Sequence, residues 1–227
     1  MPVIIGTSGW QYKHWKERFY PKTVPQKSWL EFYAERFQTV ESNNAFYMLP
    51  KQETFTSWRE RTPDDFLMTV KMNRYLTHIK RLKESAEPVE RFFTHATNLG
   101  SKLGPVLLQL PPNLKADLDS LNETLTNIGN RAPVAVEFRH DTWFSDETRS
   151  LLEQHKAALC MADRESRPIS PFWDTTPGWT YLRFHVGTAA PWPCYGRTSL
   201  RTWARRLADI WGPEADVWVF FNNDPAG

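Results

Sequence analysis

Eight runs of strand character recur along the 227 residues, and nearly every one begins apolar and ends polar. They lie at 3–8 (VIIGTS), 39–43 (TVESN), 66–73 (FLMTVKMN), 106–110 (VLLQL), 134–140 (VAVEFRH), 158–163 (ALCMAD), 180–186 (TYLRFHV) and 217–223 (VWVFFNN). β-Branched and aromatic residues fill their first halves, as suits a packed pleated surface. Helix-like stretches separate most of them. Residues 28–38 open with Ser28 and Glu31 at capping-box spacing. Stretches 88–99, 117–129 and 145–156 follow, the last opening at Ser145 with acidic residues in its first turn. Residues 198–211 place Leu200, Ala204, Leu207 and Trp211 on one apolar stripe.

Strands alternating with helices imply a parallel sheet with helices outside it. Eight such units predict a single α/β domain over residues 1–227, a (β/α)8 TIM-type barrel, for which about 250 residues is typical. The barrel is expected to be irregular. The segment 164–179, RESRPISPFWDTTPGW, is too rich in Pro and Gly for a full sixth helix, and residue 227 follows the eighth run by four positions, leaving no eighth helix. Such a chain is a shortened version of a longer protein, or its flank is covered by another subunit. An open doubly wound sheet is the second architecture.

A parallel barrel gathers all the strand ends on one face, where this fold builds its active sites. The polar tips are Thr7 and Ser8, Glu41 and Asn43, Lys71 and Asn73, Gln109, Glu137 and Arg139, Asp163, Arg183 and His185, and finally Asn222, Asn223 and Asp224. Period-two geometry puts Glu137 with Arg139, Arg183 with His185, and Glu41 with Asn43 on shared faces. Burying charge is costly unless it is paired or used. The bland account is mutual neutralisation, Glu41 by Lys71 or Glu137 by Arg183. The functional account is a ligand site above the ring.

Aromatic residues crowd the loops on this face: Trp10, Tyr12 and Trp15, then Phe46 and Tyr47, Trp143 and Phe144, Phe172 and Trp173, Trp192 and Tyr195. Flat rings beside polar groups suit a sugar or a nucleobase, although each ring alone serves equally well as a loop plug. The segment 71–83, KMNRYLTHIKRLK, adds basic residues including His78, a feature that attracts phosphate. Arg201, Arg205 and Arg206 read as a solvated helix face.

Bulk properties narrow the classes. No apolar run approaches the roughly 20 residues of a membrane span, and MPVIIGTSGW lacks the basic flank of a signal peptide. Two cysteines, Cys160 and Cys194, supply neither a disulfide framework nor a thiolate zinc site, so a cytoplasmic setting is expected. A net charge of +2 permits a phosphate-bearing partner without demanding one.

The stretches IGTSGWQYKHWKERFYP, VESNNAFYMLP, LLQLPP, VEFRHDTW and FNND, in this order, resemble the YecE-like family, domain of unknown function 72. The resemblance runs over essentially the whole chain. It implies a TIM-type barrel with these motifs at its mouth and no established reaction. The sequence departs from the family after Asp224, where members continue into a final helix.

Three functional classes follow. The first is an enzyme acting on a small anionic ligand, phosphorylated, sugar or nucleotide-like. In it Glu137 and Glu41 serve as acid or base, and His185 carries the proton. Lys71, Arg139 and Arg183 hold the anion, with Asn43, Gln109, His78, Tyr47, Trp10, Trp143 and Asn222 as further ligand contacts. The second is a metal-dependent barrel related to xylose isomerase and endonuclease IV, using Glu137, Asp163, His185 and Asp224. Arg139 and Arg183 sit awkwardly beside a cation, so no metal or other cofactor is expected. The third is a module that binds nucleic acid or a metabolite without chemistry. No phosphate-cradling glycine loop, HExxH or GxSxG motif decides among them.

Overall fold

The computed structural model describes residues 2–164, 167–168, 170–187 and 194–222. Parallel strands β1 (Val3–Thr7), β2 (Thr39–Ser42), β3 (Leu67–Lys71), β4 (Leu103–Gln109), β5 (Val134–Glu137) and β6 (Ala158–Arg164) lead to β7, a two-residue strand at Arg167–Pro168 that turns back antiparallel on β6. β8 (Trp179–Val186) and β9 (Asp216–Phe221) complete the set. The hydrogen-bonded order is β1-β9-β8-β6-β5-β4-β3-β2, so β1 and β2 end at neighbouring edges. A single bridge, Ser8 to Glu41, joins those edges. The eight long strands thus form the expected TIM-type barrel rather than an open sheet.

That seam is held by side chains where a ladder would stand. A Cβ on Gly6 would lie 2.3 Å from the Thr39 carbonyl oxygen, so only glycine lets β1 approach β2 here. The Tyr33 hydroxyl accepts the Thr7 N–H at 2.9 Å and lies 3.1 Å from the Thr39 carbonyl oxygen, to which it donates. It replaces one ladder bond with a bridging hydroxyl, leaving neither backbone group unpaired.

Helices α1 (Trp29–Ala34), α2 (Asn44–Tyr47), α3 (Gln52–Glu60), α4 (Ala86–Ala96), α5 (Leu118–Ile128), α6 (Asp146–His155) and α7 (Arg197–Trp211) cover the outside. α5 shows why they form. The Asp117 side chain accepts the Ser120 N–H as its cap, and Leu121, Leu125 and Ile128 make a buried stripe at i, i+4 and i+7. Each such side chain contributes about 1.5–3 kcal/mol on burial. In α6 the Ser145 hydroxyl caps Thr148 in the same way, matching the opening read from the sequence.

Two expectations need correction. The stripe of α7 runs through Leu200, Trp203, Leu207 and Trp211, with Trp203 buried and Ala204 exposed. Position 203 lies three residues from 200, and the larger ring takes the core place. α3 was not expected at all; its strand-facing side is only Phe55 and Trp58 on an otherwise polar helix. Between β6 and β8 the described residues hold no helix. The Ser170 and Thr175 hydroxyls instead hydrogen-bond β6 backbone groups at Cys160, Ala162, Ala157 and Leu159, fixing an extended segment along that strand. The expected absence of an eighth helix concerns residues 223–227, outside the described residues.

Inside the barrel, Leu107, Ala135, Cys160, Tyr181, Trp218 and Phe220 form an apolar plug. The charged groups inside the barrel lie above it, toward the strand ends.

Candidate functional site

Arg183 sits on that plug at the centre of the barrel, 1 % exposed, and its guanidinium forks between two carboxylates that are fully buried. Nη2 lies 2.8 Å from Glu41 Oε1 and Nη1 lies 2.5 Å from Glu137 Oε2. The remaining oxygens are also taken. Tyr181 donates its hydroxyl to Glu41 Oε2 at 2.7 Å, while Gln109 Nε2 and Arg139 Nε donate to Glu137 Oε1 at 3.0 and 2.8 Å. Strand geometry explains the convergence. Register pairs Gln109 with Glu137 and Ala162 with Arg183, and the period of two keeps Tyr181, Arg183 and His185 on the inner face of β8.

Charge follows from these contacts. Burial alone would raise the Glu137 carboxyl, but Arg183, Arg139, His185 and the Gln109 hydrogen bond outweigh it and hold the group far below the usual carboxylate range. Burial likewise opposes charge on Arg183, and Glu41 and Glu137 overcome it. Glu137 is therefore an ionised anchor, and both carboxylates, expected as acid or base, have each oxygen hydrogen-bonded within the layer. Arg183, expected as a ligand contact, is buried beneath the mouth. The pairing of Glu137 with Arg183 anticipated by the bland account is present. That of Glu41 with Lys71 is replaced by Glu41 with Arg183.

Above this layer stand the groups that face the mouth. Lys71, 8 % exposed, holds Nζ 4.0 Å over the Phe46 ring. Burial pushes its ammonium down to about 8, with Arg183 adding to the effect. Arg139 keeps 24 % of its side chain exposed beside Glu137. His185 Nδ1 accepts from Asn222 Nδ2 at 2.7 Å, and Asn222 Oδ1 accepts from Arg183 Nη2 at 3.2 Å. The amide thus carries orientation from the buried ion pair to the imidazole, whose Nε2 points toward Glu137 Oε1 at 3.9 Å. His78 lies edge-on to Phe46 at 5.0 Å and bonds Thr77; burial and then Lys71 lower its pKa. Asn43 is half-buried where β2 runs into α2, and Tyr47 is exposed at the end of that helix.

Two expected contacts belong to the core instead. Trp10 packs edge-on against Trp58, and Trp143 stacks on Phe138 with its Nε1 donating to the Leu114 carbonyl. Both rings are shut away from solvent, so neither presents a face to the mouth. Asp163 is also displaced. It is paired with Phe184 in register and lies against Tyr195 and Trp203 on the helix side of β6, away from Glu137 and His185. Among the described residues no three His, Cys, Asp or Glu side chains gather as a metal cluster; Asp224, the fourth member of that set, and Trp192 lie outside the described residues. Tyr181 and Tyr33 are residues to which the sequence alone assigns no role. The two-residue spacing of 181, 183 and 185 was the available signal for the first. Tyr12 closes over the β1 end by donating to the Ser8 carbonyl, and Gly9 makes room, since a Cβ there would meet the Tyr12 hydroxyl at 2.7 Å.

The basic segment after β3 has two of its lysines paired with carboxylates. Lys80 pairs with Glu84, Lys83 with Asp117, and Arg81 donates to the Asn113 carbonyl. A groove of about 650 Å³ lies at the opposite end of the barrel, lined by Leu125, Pro133, His155 and Trp179. No charged groups converge there as they do at the mouth.

The family model described as "Protein of unknown function DUF72" matches residues 4–227. The chain belongs to the DUF72 family. It is 29% identical to the UPF0759 protein YecE of Escherichia coli K12 over 171 residues, 74% of this chain but 60% of YecE, so the match spans less than two thirds of that relative. With the UPF0759 protein YunF of Bacillus subtilis the identity is 26%, covering 99% of this chain and 90% of YunF. Among solved structures, a DUF72 protein of Thermotoga maritima superposes with a TM-score of 0.81 at 28% identity, covering all of this chain and 94% of its own. D-psicose 3-epimerase, solved in the presence of D-fructose, reaches a TM-score of 0.54 at 11% identity over 87% of this chain and 80% of its own, a likeness of fold alone. The DUF72 stretches VESNNAFY and VEFRH supply Glu41, Phe46, Glu137 and Arg139 to the mouth described above.

Proposed function

We propose that this DUF72 chain is an enzyme that takes a small anionic ligand, phosphorylated, sugar or nucleotide-like, at the C-terminal mouth of its barrel. One observation carries the reading. Lys71 holds an ammonium at the mouth over an aromatic face, and no carboxylate among the described residues bonds it. The two nearby carboxylates are consumed by Arg183, Tyr181, Arg139 and Gln109. Among the described residues three cations, Lys71, Arg139 and Arg183, face two anions, Glu41 and Glu137, so these groups together retain one positive charge while Lys71 is protonated. An anionic group placed between Lys71 and Arg139 supplies the missing partner.

The roles divide accordingly. Arg183, Glu41, Glu137, Tyr181 and Gln109 form a rigid charged floor; Lys71 and Arg139 bind the anion; His185, oriented by Asn222, moves the proton. A small ligand fits better than a polymer, because Lys80 and Lys83 of the basic segment 71–83 are paired with Glu84 and Asp117, which interrupts a track for a phosphate backbone. Calorimetric titration with ribose 5-phosphate and with ribose tests the reading. The phosphorylated sugar should bind and Lys71→Met should weaken the binding severalfold. Equal affinity for both sugars, or an unchanged titration in Lys71→Met, refutes it.

A further inference from the structure

We propose that Lys71 is an imine-forming nucleophile and that the ligand class is an anionic carbonyl compound, a phosphorylated aldehyde or ketone. The proposal rests on the small-anion reading above and adds the substrate's reactive group and the residue that attacks it.

The geometry at Lys71 is that of an amine held for reaction. Its stem is packed in the wall of the barrel at the end of β3, and its nitrogen emerges at the mouth over the Phe46 ring. A structural lysine at this depth would be locked by a carboxylate, as buried charges normally are. Lys102 shows the structural alternative in the same chain: it is as deeply buried, and its Nζ donates to the Arg59 and Thr62 carbonyls at 2.7 Å each. Among the described residues Lys71 makes no such bonds, and the nearby Glu41 and Glu137 are instead hydrogen-bonded to Arg183. The groups that act on it are the cations Arg183 and Arg139, which disfavour its charge, and the carboxylates Glu41 and Glu137, which favour it. The Phe46 face also favours the ammonium. Burial and the arginines win, and the midpoint falls to about 8. At neutral pH that leaves about 300-fold more free amine than on an unperturbed lysine.

The step balances without an external oxidant or reductant. The Lys71 nitrogen lone pair attacks the carbonyl carbon, and the carbonyl oxygen takes up a proton to give a carbinolamine. The C–O bond then breaks, the oxygen leaves as water with the amine's protons, and a C=N bond joins the ligand to Lys71. Once protonated, that imine withdraws electrons from the adjacent carbon, which makes a neighbouring C–H or C–C bond breakable. Arg139 remains to hold the anionic end of the ligand, and His185 to carry protons.

Reductive trapping tests the proposal. The full chain is incubated with glycolaldehyde phosphate and sodium cyanoborohydride, which reduces an imine to a stable secondary amine, and adducts are located by peptide mass spectrometry. One adduct on Lys71 is expected, formed at least tenfold faster than on any other lysine, with a rate that climbs through a midpoint near pH 8. Lys71→Arg keeps the charge and should lose the adduct while retaining inorganic phosphate binding. Labelling spread evenly over the lysines, or absent from Lys71, overturns the proposal. If phosphate still binds in that case the small-anion reading stands; if phosphate binding is absent too, both readings fall.

Discussion

Arg183 and Glu137 meet in the middle of the barrel at 2.5 Å with neither side chain open to solvent, and the same guanidinium reaches Glu41 on the far side of the mouth. This triad ties β8 to β5 and β2, strands that are not neighbours in the sheet. A buried ion pair is weak support for net stability when compared with an apolar core, but removing one member leaves the others charged and unpaired. Arg183→Ala strands two carboxylates and should cost roughly 3–5 kcal/mol. Urea denaturation of the variant checks this, and a loss within the range of ordinary surface substitutions would mean that the triad contributes no such constraint.

The same pair sets an acid limit. The folded Glu137 carboxyl titrates well below its unfolded value, so its contribution is fully present above the unfolded carboxylate range and is lost as pH falls toward the folded value. Wild-type stability should therefore drop steadily below about pH 4.5. Glu137→Gln, which has no proton to take up, should be less stable at pH 7 and should flatten that drop. Urea midpoints at pH 7 and pH 3 for both proteins give the comparison; parallel declines would rule Glu137 out as the source.

At the seam, the Tyr33 hydroxyl is the link between Thr7 and Thr39. Tyr33→Phe leaves the half-buried Thr7 N–H and the buried Thr39 carbonyl without this partner and should cost about 1–3 kcal/mol. Its signature is local: the Thr7 amide should exchange with deuterium much faster while amides of the β4–β5 ladder keep their protection. Gly6→Ala should be worse, because its Cβ meets backbone rather than a movable side chain.

Much of this was legible in the sequence, for a physical reason. Strand runs with period-two polarity announce both the fold and the face, so Glu41, Lys71, Gln109, Glu137, Arg139, Arg183 and His185 could be placed at one mouth before any coordinates. Their division into floor and ligand-facing groups could not. Arg183 and Glu41 are 142 positions apart, and which charges meet across a barrel depends on the stagger of its strands, which no local pattern encodes. Trp10 and Trp143 show a second limit. A tryptophan after a strand end carries the same signal whether it lines a site or plugs a loop, and here both are plugs. α3 escaped notice because two buried rings in nine residues make a faint apolar stripe.

Lys71 is placed against stability. Its ammonium is buried with no ion pair at bonding distance among the described residues, and its folded midpoint near 8 lies below the unfolded lysine value. The unfolded chain therefore binds the extra proton between those two values, and stability should rise with pH across about 8 to 10.5 through this residue. Lys71→Met retains the packed stem and removes the charge. It should be as stable as wild type or more so at pH 7, should lose that rise, and should bind phosphate more weakly. Phosphate binding to the wild type should weaken over the same interval, because the anion needs the ammonium, whereas reductive trapping strengthens with the free amine. Affinity and trapping rate measured on one sample across pH 6.5–9.5 should therefore cross in opposite directions at a shared midpoint near 8. Two separate midpoints would assign the anion site and the reactive amine to different residues.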